Sequence, residues 1–330
     1  MIPFIITIDT EGDNLWKWHD GDIITTENSK YLPRFQNLCN EYSFKPVWLA
    51  NWEMIHDNRF VDFVMPEVEA GHCEIGVHLH AWNNPPYFEL PKDCHSGQPY
   101  LIEYPDNIME EKIASITDEF RRIVGYLPVS HRAGRWAINE TYLKLLIKYG
   151  YHVDCSITPG IDWCTSLGQT PGFRGPDYSM EQSGVSIRMC GEGTIQHGES
   201  TGGILEVPLT TRKSKEYFQS TEMDLNGFKR IKYRVKAMMK KERILSVRPD
   251  GTNLSEMKWV VDNSFEFGEE YIMFMIHSSE LIPGCSPTFP DIESIESLYR
   301  DLKLLFSYVS ENGYYGLTLK DFYMERSGIS

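Results

Sequence analysis

Short apolar runs that alternate with helical patterns recur along the whole chain, and they restrict the folds that it can adopt. The runs FIITID (residues 4–9), VWLAN (47–51) and EYIMFMIH (270–277) contain few charged residues and many β-branched or aromatic ones. Continuous apolar runs of this length are typical of parallel strands that are buried on both faces. Amphipathic stretches such as residues 107–124 and 294–312 indicate helices between them. The alternation predicts an α/β fold built from βαβ units, with about seven parallel strands.

Polar residues stand at the ends of these strands, which favours a barrel over an open sheet. Asp9, His78, Arg132, Asp154 and His277 each lie at or near the end of an apolar strand. In a barrel the carboxyl ends of all strands meet around one mouth, whereas an open sheet would spread them apart. We therefore predict a distorted (β/α) barrel in which these side chains gather at one site.

Two long segments interrupt the regular pattern. Residues 83–105 are turn-rich, and residues 160–202 carry many glycines, serines and prolines without a clear period. A chain of 330 residues can form one barrel domain (1–330) with such loop excursions. Long loops in compact domains are often functional, so we expect residues 83–105 to form one wall of a cleft.

The formal net charge of -15 argues against general binding to nucleic acids. The seven cysteines are odd in number and lack CxxC spacing, which is typical of reduced thiols. The N-terminal apolar run resembles a strand rather than a signal peptide, and no segment reaches the roughly 18 apolar residues that a membrane span needs. We therefore expect a cytoplasmic protein.

Residues 212–248 are a basic exception in this acidic chain, with twelve of its 32 lysines and arginines in a helical pattern. A solvated helix face balanced by neighbouring acids is one explanation. The other is a docking surface for phosphates, for an acidic partner or for anionic lipid, which would give peripheral membrane contact.

Two short motifs contain side chains that could bind a metal. Asp9, Glu11 and Asp13 alternate directly after the first strand, where α/β folds place their functional residues, although the same residues could form a turn. His78 and His80 share one face if their strand continues that far, and two such imidazoles are half of a metal site. The alternative is a pair of loop histidines with polar partners.

Five motifs of the chain resemble those of the polysaccharide deacetylase family, also known as the NodB-homology or carbohydrate esterase family 4, and they occur in the family's order. They are TIDTEGD (residues 7–13), EIGVHLH (74–80), HRAGRW (131–136), DCSITPG (154–160) and MFMIHSS (273–279). Each motif is weak by itself, but five in the family's order, with ILEVP (204–208) and a final YGLTL (315–319) strand, are fairly specific.

The chain also departs from the family pattern. Thr10 stands where the family has its metal-binding aspartate, so Glu11 or Asp13 would have to replace it. The usual second histidine would fall at Trp82, and His80 is the nearest substitute. The Asp-x-Glu and His-x-His motifs resemble a divergent subgroup associated with bacterial surface-polysaccharide synthesis.

The resemblance implies a divalent metal, zinc by preference, that is bound by Glu11, His78 and His80. Such a cation activates water as a nucleophile near neutral pH. A backbone N–H of residues 132–135 would help to stabilise the oxyanion of the intermediate.

The resemblance also implies the catalytic roles. Asp9 would be the general base, and Arg132 would pair with it and keep it ionised. His277 would protonate the leaving amine, and a carboxylate such as Asp154 could hold the ring of His277.

The function implied is a hydrolase that removes an N-acetyl or similar acyl group from an amino sugar or saccharide, in surface-polysaccharide biosynthesis. A cytoplasmic location would suit a nucleotide-linked or lipid-linked sugar. Two alternatives remain: a metal-independent hydrolase of cyclic amides with the same fold, and an inactive deacetylase-like protein that binds glycan.

Overall fold

The computed structural model describes residues 1–19, 21–189, 195–196, 203–223 and 242–328. Its strands, β1 to β12, span Pro3–Thr10, Pro46–Ala50, Glu74–Leu79, Ser130–Ala133, Val153–Asp154, Ile187–Met189, Ile195–Gln196, Ile204–Glu206, Thr211–Lys213, Ile244–Ser246, Ile272–His277 and Tyr315–Gly316. Its helices, α1 to α9, span Leu32–Glu41, Trp52–Ile55, Asn58–Glu69, Asp106–Val124, Glu140–Lys148, Ser214–Met223, Leu254–Asp262, Ile292–Glu311 and Leu319–Ser327.

Seven parallel strands form the main sheet, in the order β11-β1-β2-β3-β4-β5-β8. β12 also pairs with β1, and β6 and β7 extend the sheet beyond β8 in antiparallel pairing. The sheet curls into a distorted (β/α) barrel, as the strand pattern predicted. No helix in the described ranges is both long enough and apolar enough to cross a membrane.

The alternation of side chains along β1 shows how the sequence divides the interior from the outer layer. Phe4, Ile6 and Ile8 pack in the larger core between sheet and helices, whereas Ile5 belongs to a smaller apolar cluster inside the barrel. Because side chains alternate with a period of two, Asp9 lies on the same face as Ile5. The barrel interior is thus apolar towards the amino ends of the strands and polar at their carboxyl ends.

The gap between β8 and β11 is bridged by side chains rather than by a regular ladder. The Tyr271 hydroxyl donates to the Pro208 carbonyl at 2.7 Å, and the Met273 N–H donates to Thr210 Oγ1 at 2.9 Å. On the other side of these contacts, Val247 forms a parallel bridge with Phe274. The strand that leads to His277 is therefore held from several directions.

Two segments differ from the sequence prediction. The predicted YGLTL strand stops at Gly316, because Thr318 caps α9 in a reciprocal pair with Asp321. The helical pattern predicted across residues 212–248 holds for α6, but β10 follows later in that segment. Residues 224–241, which carry most of its basic residues, lie outside the described ranges, so the docking surface stays a prediction.

Candidate active site

The register of the parallel strands brings four of the predicted residues to one end of the barrel. Asp9 on β1 pairs with His277 on β11, and His78 on β3 pairs with Arg132 on β4. Asp9 Oδ2 lies 3.7 Å from Nε2 of His277 and 3.9 Å from Nε2 of His78. The structure thus brings these residues together, while their chemical roles stay predictions.

Arg132 is fully buried, and each of its side-chain nitrogens donates to an acceptor. Nη1 donates to Asp9 Oδ1 at 2.6 Å, Nε to the Cys155 carbonyl at 3.1 Å and Nη2 to Thr7 Oγ1 at 3.0 Å. Burial opposes ionisation of Asp9, but Arg132 and the neighbouring His78 together keep the pKa of Asp9 below its ordinary value. Asp9 is therefore a carboxylate with Oδ1 bound to Arg132 and Oδ2 directed towards His78 and His277.

Glu11, His78 and His80 form a compact set of metal-binding groups. Glu11 Oε2 lies 2.8 Å from His80 Nε2 and 3.5 Å from His78 Nε2, and one ligand atom from each residue falls within 4.8 Å of the others. All three side chains are buried. Two imidazoles and one carboxylate are a donor set typical of catalytic zinc.

The electrostatics of this set also fit a cation. Hydrogen bonds to His78 and His80 outweigh burial and hold the pKa of Glu11 well below its ordinary value. Burial and the neighbouring His78 lower the pKa of His80, which favours the neutral imidazole that metals bind. Burial opposes a charge on His78, but Asp9 and Glu11 raise its pKa. The two acids therefore favour a positive charge beside them, and a bound metal would supply one.

Second contacts orient the two histidines. The Nδ1 of His78 lies 3.0 Å from the Arg132 carbonyl, so Nδ1 donates its proton there and Nε2 faces the acids. The Nδ1 of His80 is buried without a hydrogen-bond partner among the described residues. Gly134 permits this close packing, since a Cβ there would lie 2.6 Å from His80 Nδ1. The residues therefore fit a divalent metal.

Asp13, the other acid considered for the metal site, serves a different contact. Its carboxylate accepts hydrogen bonds from the hydroxyl of Thr25 and from the backbone N–H of Asn28 at 3.2 Å. These bonds fix the loop that follows β1. Glu11 is thus the acid of the first motif that reaches the histidines.

The predicted contact between Asp154 and His277 is wrong. Asp154 Oδ1 lies 2.6 Å from Nδ1 of His131, the residue that precedes Arg132, and it also accepts the Ser156 hydroxyl at 2.9 Å. His131 and Asp154 pair in register on the face that packs against the helices, opposite the barrel interior. Strand alternation therefore excludes Asp154 from the site.

His277 has different partners. Its backbone N–H donates to Glu280 Oε2 at 2.9 Å, and its Nδ1 lies 3.0 Å from Arg248 Nη2. Trp16 packs edge-on against the ring, with centroids 5.2 Å apart. The carboxylate on the Nδ1 side of the His277 ring is thus Glu280, three residues further along the chain.

A cleft of about 750 Å³ adjoins the metal-binding groups, and residues of the 83–105 loop line it as predicted. Trp82 connects the two regions, because its ring lies 4.2 Å from that of His80 and it also lines the cleft. Trp18 stacks on Trp82 at 6.5 Å. Aromatic faces beside amide and hydroxyl side chains suit a sugar ligand.

Lys112 holds the backbone at the start of the 83–105 loop. Its buried ammonium group donates to the carbonyls of Ala81, Asn84 and Pro86 at 2.6–2.8 Å. These carbonyls belong to the turn that carries Trp82 out of β3, so the buried charge determines the path of the chain directly after His80.

Two long loops are joined behind the cleft. Arg135 adopts a left-handed backbone conformation (φ 58°), and its guanidinium donates to Ser166 Oγ and to the carbonyls of Gln98 and Leu167. Glu103 accepts backbone N–H groups of the second loop, including that of Thr170. The described residues of the predicted excursions 83–105 and 160–202 are thus joined, and Gln98 and Gln169 both line the cleft.

Glu53, directly after β2, faces the cleft and accepts a hydrogen bond from Asn83 Nδ2 at 2.7 Å. Burial, with a contribution from the charge of Glu11, raises the pKa of Glu53 from 4.5 to about 8. At neutral pH this carboxyl group is therefore largely protonated and can donate a hydrogen bond into the cleft.

This pKa shift predicts a pH-dependent stability. Between pH 4.5 and about 8, Glu53 binds more proton in the folded protein than in the unfolded chain, so its contribution to the free energy of unfolding falls as pH rises through that window. The decrease is at most about 1.4 kcal/mol per pH unit. Glu53→Gln removes this contribution, and urea unfolding at pH 5, 6.5 and 8 measures the difference. The exposed Glu41→Gln is the control, and equal pH dependence in wild type and Glu53→Gln would contradict the prediction.

Sequence reasoning missed Glu53, Arg248 and Glu280. Glu53 and Arg248 lie just past apolar segments, so the strand-end rule that selected Asp9 could also have selected them. Glu280 has a weaker signal, since it lies in a turn after His277 and only the folded backbone aims its carboxylate at that residue.

None of the protein-family models and none of the curated protein sequences matches this chain. Among solved structures, a protein from Mycobacterium smegmatis that is provisionally named a polysaccharide deacetylase superposes with a TM-score of 0.55. The two are 12% identical, and the match covers 98% of this chain and 90% of that one.

The 4-alpha-glucanotransferase from Thermococcus litoralis superposes with a TM-score of 0.52 and 14% identity, over 98% of this chain and 40% of that one. At such identities a structural likeness establishes the fold and leaves the activity open. The resemblance predicted from the five motifs is therefore confirmed for the fold, since the distorted (β/α) barrel of this chain superposes on the Mycobacterium smegmatis structure over nearly its whole length.

Proposed function

We propose that this protein is a metal-dependent hydrolase that removes an acetyl or similar acyl group from an amino sugar within a saccharide. The observation that carries the proposal is the convergence, at one end of the barrel, of two distinct groups of residues. Glu11, His78 and His80 form a compact set of metal-binding groups, and the Asp9 carboxylate, anchored through Oδ1 by Arg132, lies beside it.

Glu11, His78 and His80 would hold the cation, which when bound supplies Lewis-acid polarisation of the acyl carbonyl and of the attacking water. Asp9 is the base in this proposal, because Oδ1 is held by Arg132 while Oδ2 faces the site. His277 reaches the same point from the neighbouring strand, with 13% of its side chain exposed, and can contact the substrate.

The cleft supplies a place for the rest of the saccharide. Its lining combines the aromatic rings of Trp18 and Trp82 with polar side chains and the protonated Glu53. Binding of non-reacting sugar rings would fix the acyl group against Asp9, which is how an enzyme converts binding energy into rate.

The test is metal content together with turnover. Protein purified without chelator and supplied with zinc is expected to hold about one zinc per chain by elemental analysis, and His78→Ala and His80→Ala are each expected to lose it. The surface variant His72→Ala is the matched control, since its side chain pairs with Glu67 away from the site. The zinc-loaded protein should release acetate from a panel of N-acetylated oligosaccharides, and chelation should stop the reaction.

Full metal content in His78→Ala and His80→Ala would contradict the assigned ligands. Hydrolysis of cyclic amides by metal-free protein would favour the metal-independent alternative, and oligosaccharide binding without any turnover would favour the inactive glycan-binding one.

A further inference from the structure

Arg248 occupies a fixed position beside the end of β11. The Met275 N–H donates to the Val247 carbonyl at 3.1 Å, and Asn253 Nδ2 donates to the Arg248 carbonyl at 2.8 Å. The backbone on both sides of the Arg248 side chain is therefore held against the strand that carries His277.

The guanidinium group determines which nitrogen of His277 carries the proton. Arg248 Nη2 lies 3.0 Å from His277 Nδ1. A guanidinium group can only donate hydrogen bonds, and it does not lose its proton in proteins. Nδ1 must therefore accept, which places the ring proton on Nε2, 3.7 Å from Asp9 Oδ2 and 3.9 Å from Glu11 Oε1.

Glu280 holds Arg248 in this arrangement. It is almost completely buried, and its Oε1 lies 3.2 Å from Arg248 Nη2. Its other oxygen accepts the backbone N–H of His277 at 2.9 Å and lies 3.4 Å from Nδ1, farther than the guanidinium. Glu280 therefore accepts hydrogen bonds from the backbone N–H of His277 and from Arg248, and its buried carboxylate pairs with that arginine.

We propose that Arg248 is a positioning residue that fixes His277 as the Nε2–H tautomer, so that His277 offers the substrate a hydrogen-bond donor. A histidine oriented by a carboxylate would instead carry its proton on Nδ1 and offer a lone pair at Nε2. The identity of the residue on Nδ1 therefore decides what the other side of the ring can do.

This assignment changes the role implied by the family resemblance. With Arg248 on Nδ1 the ring has one proton, and its transfer to a leaving amine would produce an imidazolate anion. His277 instead stabilises charge on the acyl oxygen while the bond from the attacking water forms. Asp9 takes the proton of that water and passes it to the leaving nitrogen as the carbon–nitrogen bond breaks, which gives the free acid and the amine.

The test uses nuclear magnetic resonance of the full chain with histidine labelled by 15N in the imidazole ring. Long-range 1H–15N correlations distinguish protonated from unprotonated ring nitrogens, and the His277 signals are those lost in His277→Gln. We expect an unprotonated Nδ1 and a protonated Nε2 at His277, both with and without zinc. A protonated Nδ1 in the wild-type protein would overturn the proposal. This result does not depend on whether variants of Arg248 fold.

Variants give the causal evidence. In Arg248→Met nothing should hold His277 as the Nε2–H tautomer. Its signals should then shift towards a protonated Nδ1 that faces Glu280. Arg243→Met is the matched control, because that arginine of the same segment pairs with Glu256 instead. Unchanged His277 signals in Arg248→Met would show that Arg248 does not set the tautomer.

The kinetic test of Arg248 rests on the proposed function, whereas the spectra need no substrate. Failure of the tautomer assignment can therefore be distinguished from failure of the proposed function. Arg248→Met should lower kcat by about 100-fold, the effect of removing one oxyanion donor, with a change in KM of less than about threefold. Arg248→Lys, which keeps a donor and a charge, should recover part of kcat. A Met variant that loses affinity but keeps kcat would contradict this role.

Discussion

Replacing Asp9 with asparagine is expected to lower kcat/KM for deacylation by about a thousandfold, within the range that a positioned general base contributes. Asparagine keeps an oxygen that can accept the hydrogen bond of Arg132 Nη1, which lies 2.6 Å from Asp9 Oδ1. It cannot take a proton at the other position, the one that faces His277. The loss therefore falls on chemistry rather than on the shape of the site.

The measurement is steady-state kinetics on an N-acetylated oligosaccharide, with zinc content and thermal unfolding measured on the same samples. Asp118→Asn is the control, since that carboxylate is exposed and pairs with Arg121 on the surface. Asp9→Asn protein with normal zinc content and a wild-type rate would exclude Asp9 as the base.

Arg132→Met is expected to lower the free energy of unfolding by about 3–5 kcal/mol, the effect of removing one partner of a buried ion pair. Methionine fills part of the volume but leaves the Asp9 carboxylate, the Thr7 hydroxyl and the Cys155 carbonyl without their donor. Arg132→Lys should recover only part of the loss, because a single ammonium group cannot reach acceptors that a planar fork serves.

Chemical unfolding at pH 7 with wild type and both variants checks this expectation. Arg34→Met is the control, since its guanidinium also forms a two-point pair, with Glu296, but at an exposed position where such pairs contribute little. A loss in Arg132→Met no greater than that in Arg34→Met would mean that the buried pair adds nothing to stability.

The sequence was sufficient to predict the barrel and the residues on its first, third and last main strands. Asp9, His78 and His277 follow apolar runs so closely that strand alternation leaves little choice of face. The register between strands then follows from the parallel arrangement, which places Asp9 beside His277 without any specific contact being known in advance.

Asp154 shows where that reasoning fails. Its strand has only two residues, so the apolar pattern could not tell which face the acid occupies. The acid instead contacts the adjacent His131 on the outer face, whereas the motif drew attention to Arg132, which faces the barrel interior. Arg248 was missed for another reason: it follows an apolar segment, but its contact with His277 depends on a bridge between Val247 and Phe274 that joins distant parts of the chain. Glu280 lies three residues after His277, and its contact depends on the turn between them.

The link between the two loops through Arg135 has a consequence for ligand recognition. Loops that order only when a ligand arrives subtract their lost conformational entropy from the binding free energy. Here Arg135 and Glu103 hold residues 98–103 against residues 166–170 in the free protein, so the entropy of these segments is already lost on folding. Saccharide affinity should therefore depend on the contacts themselves, and the cleft should select ligands by shape rather than adapt to each of them.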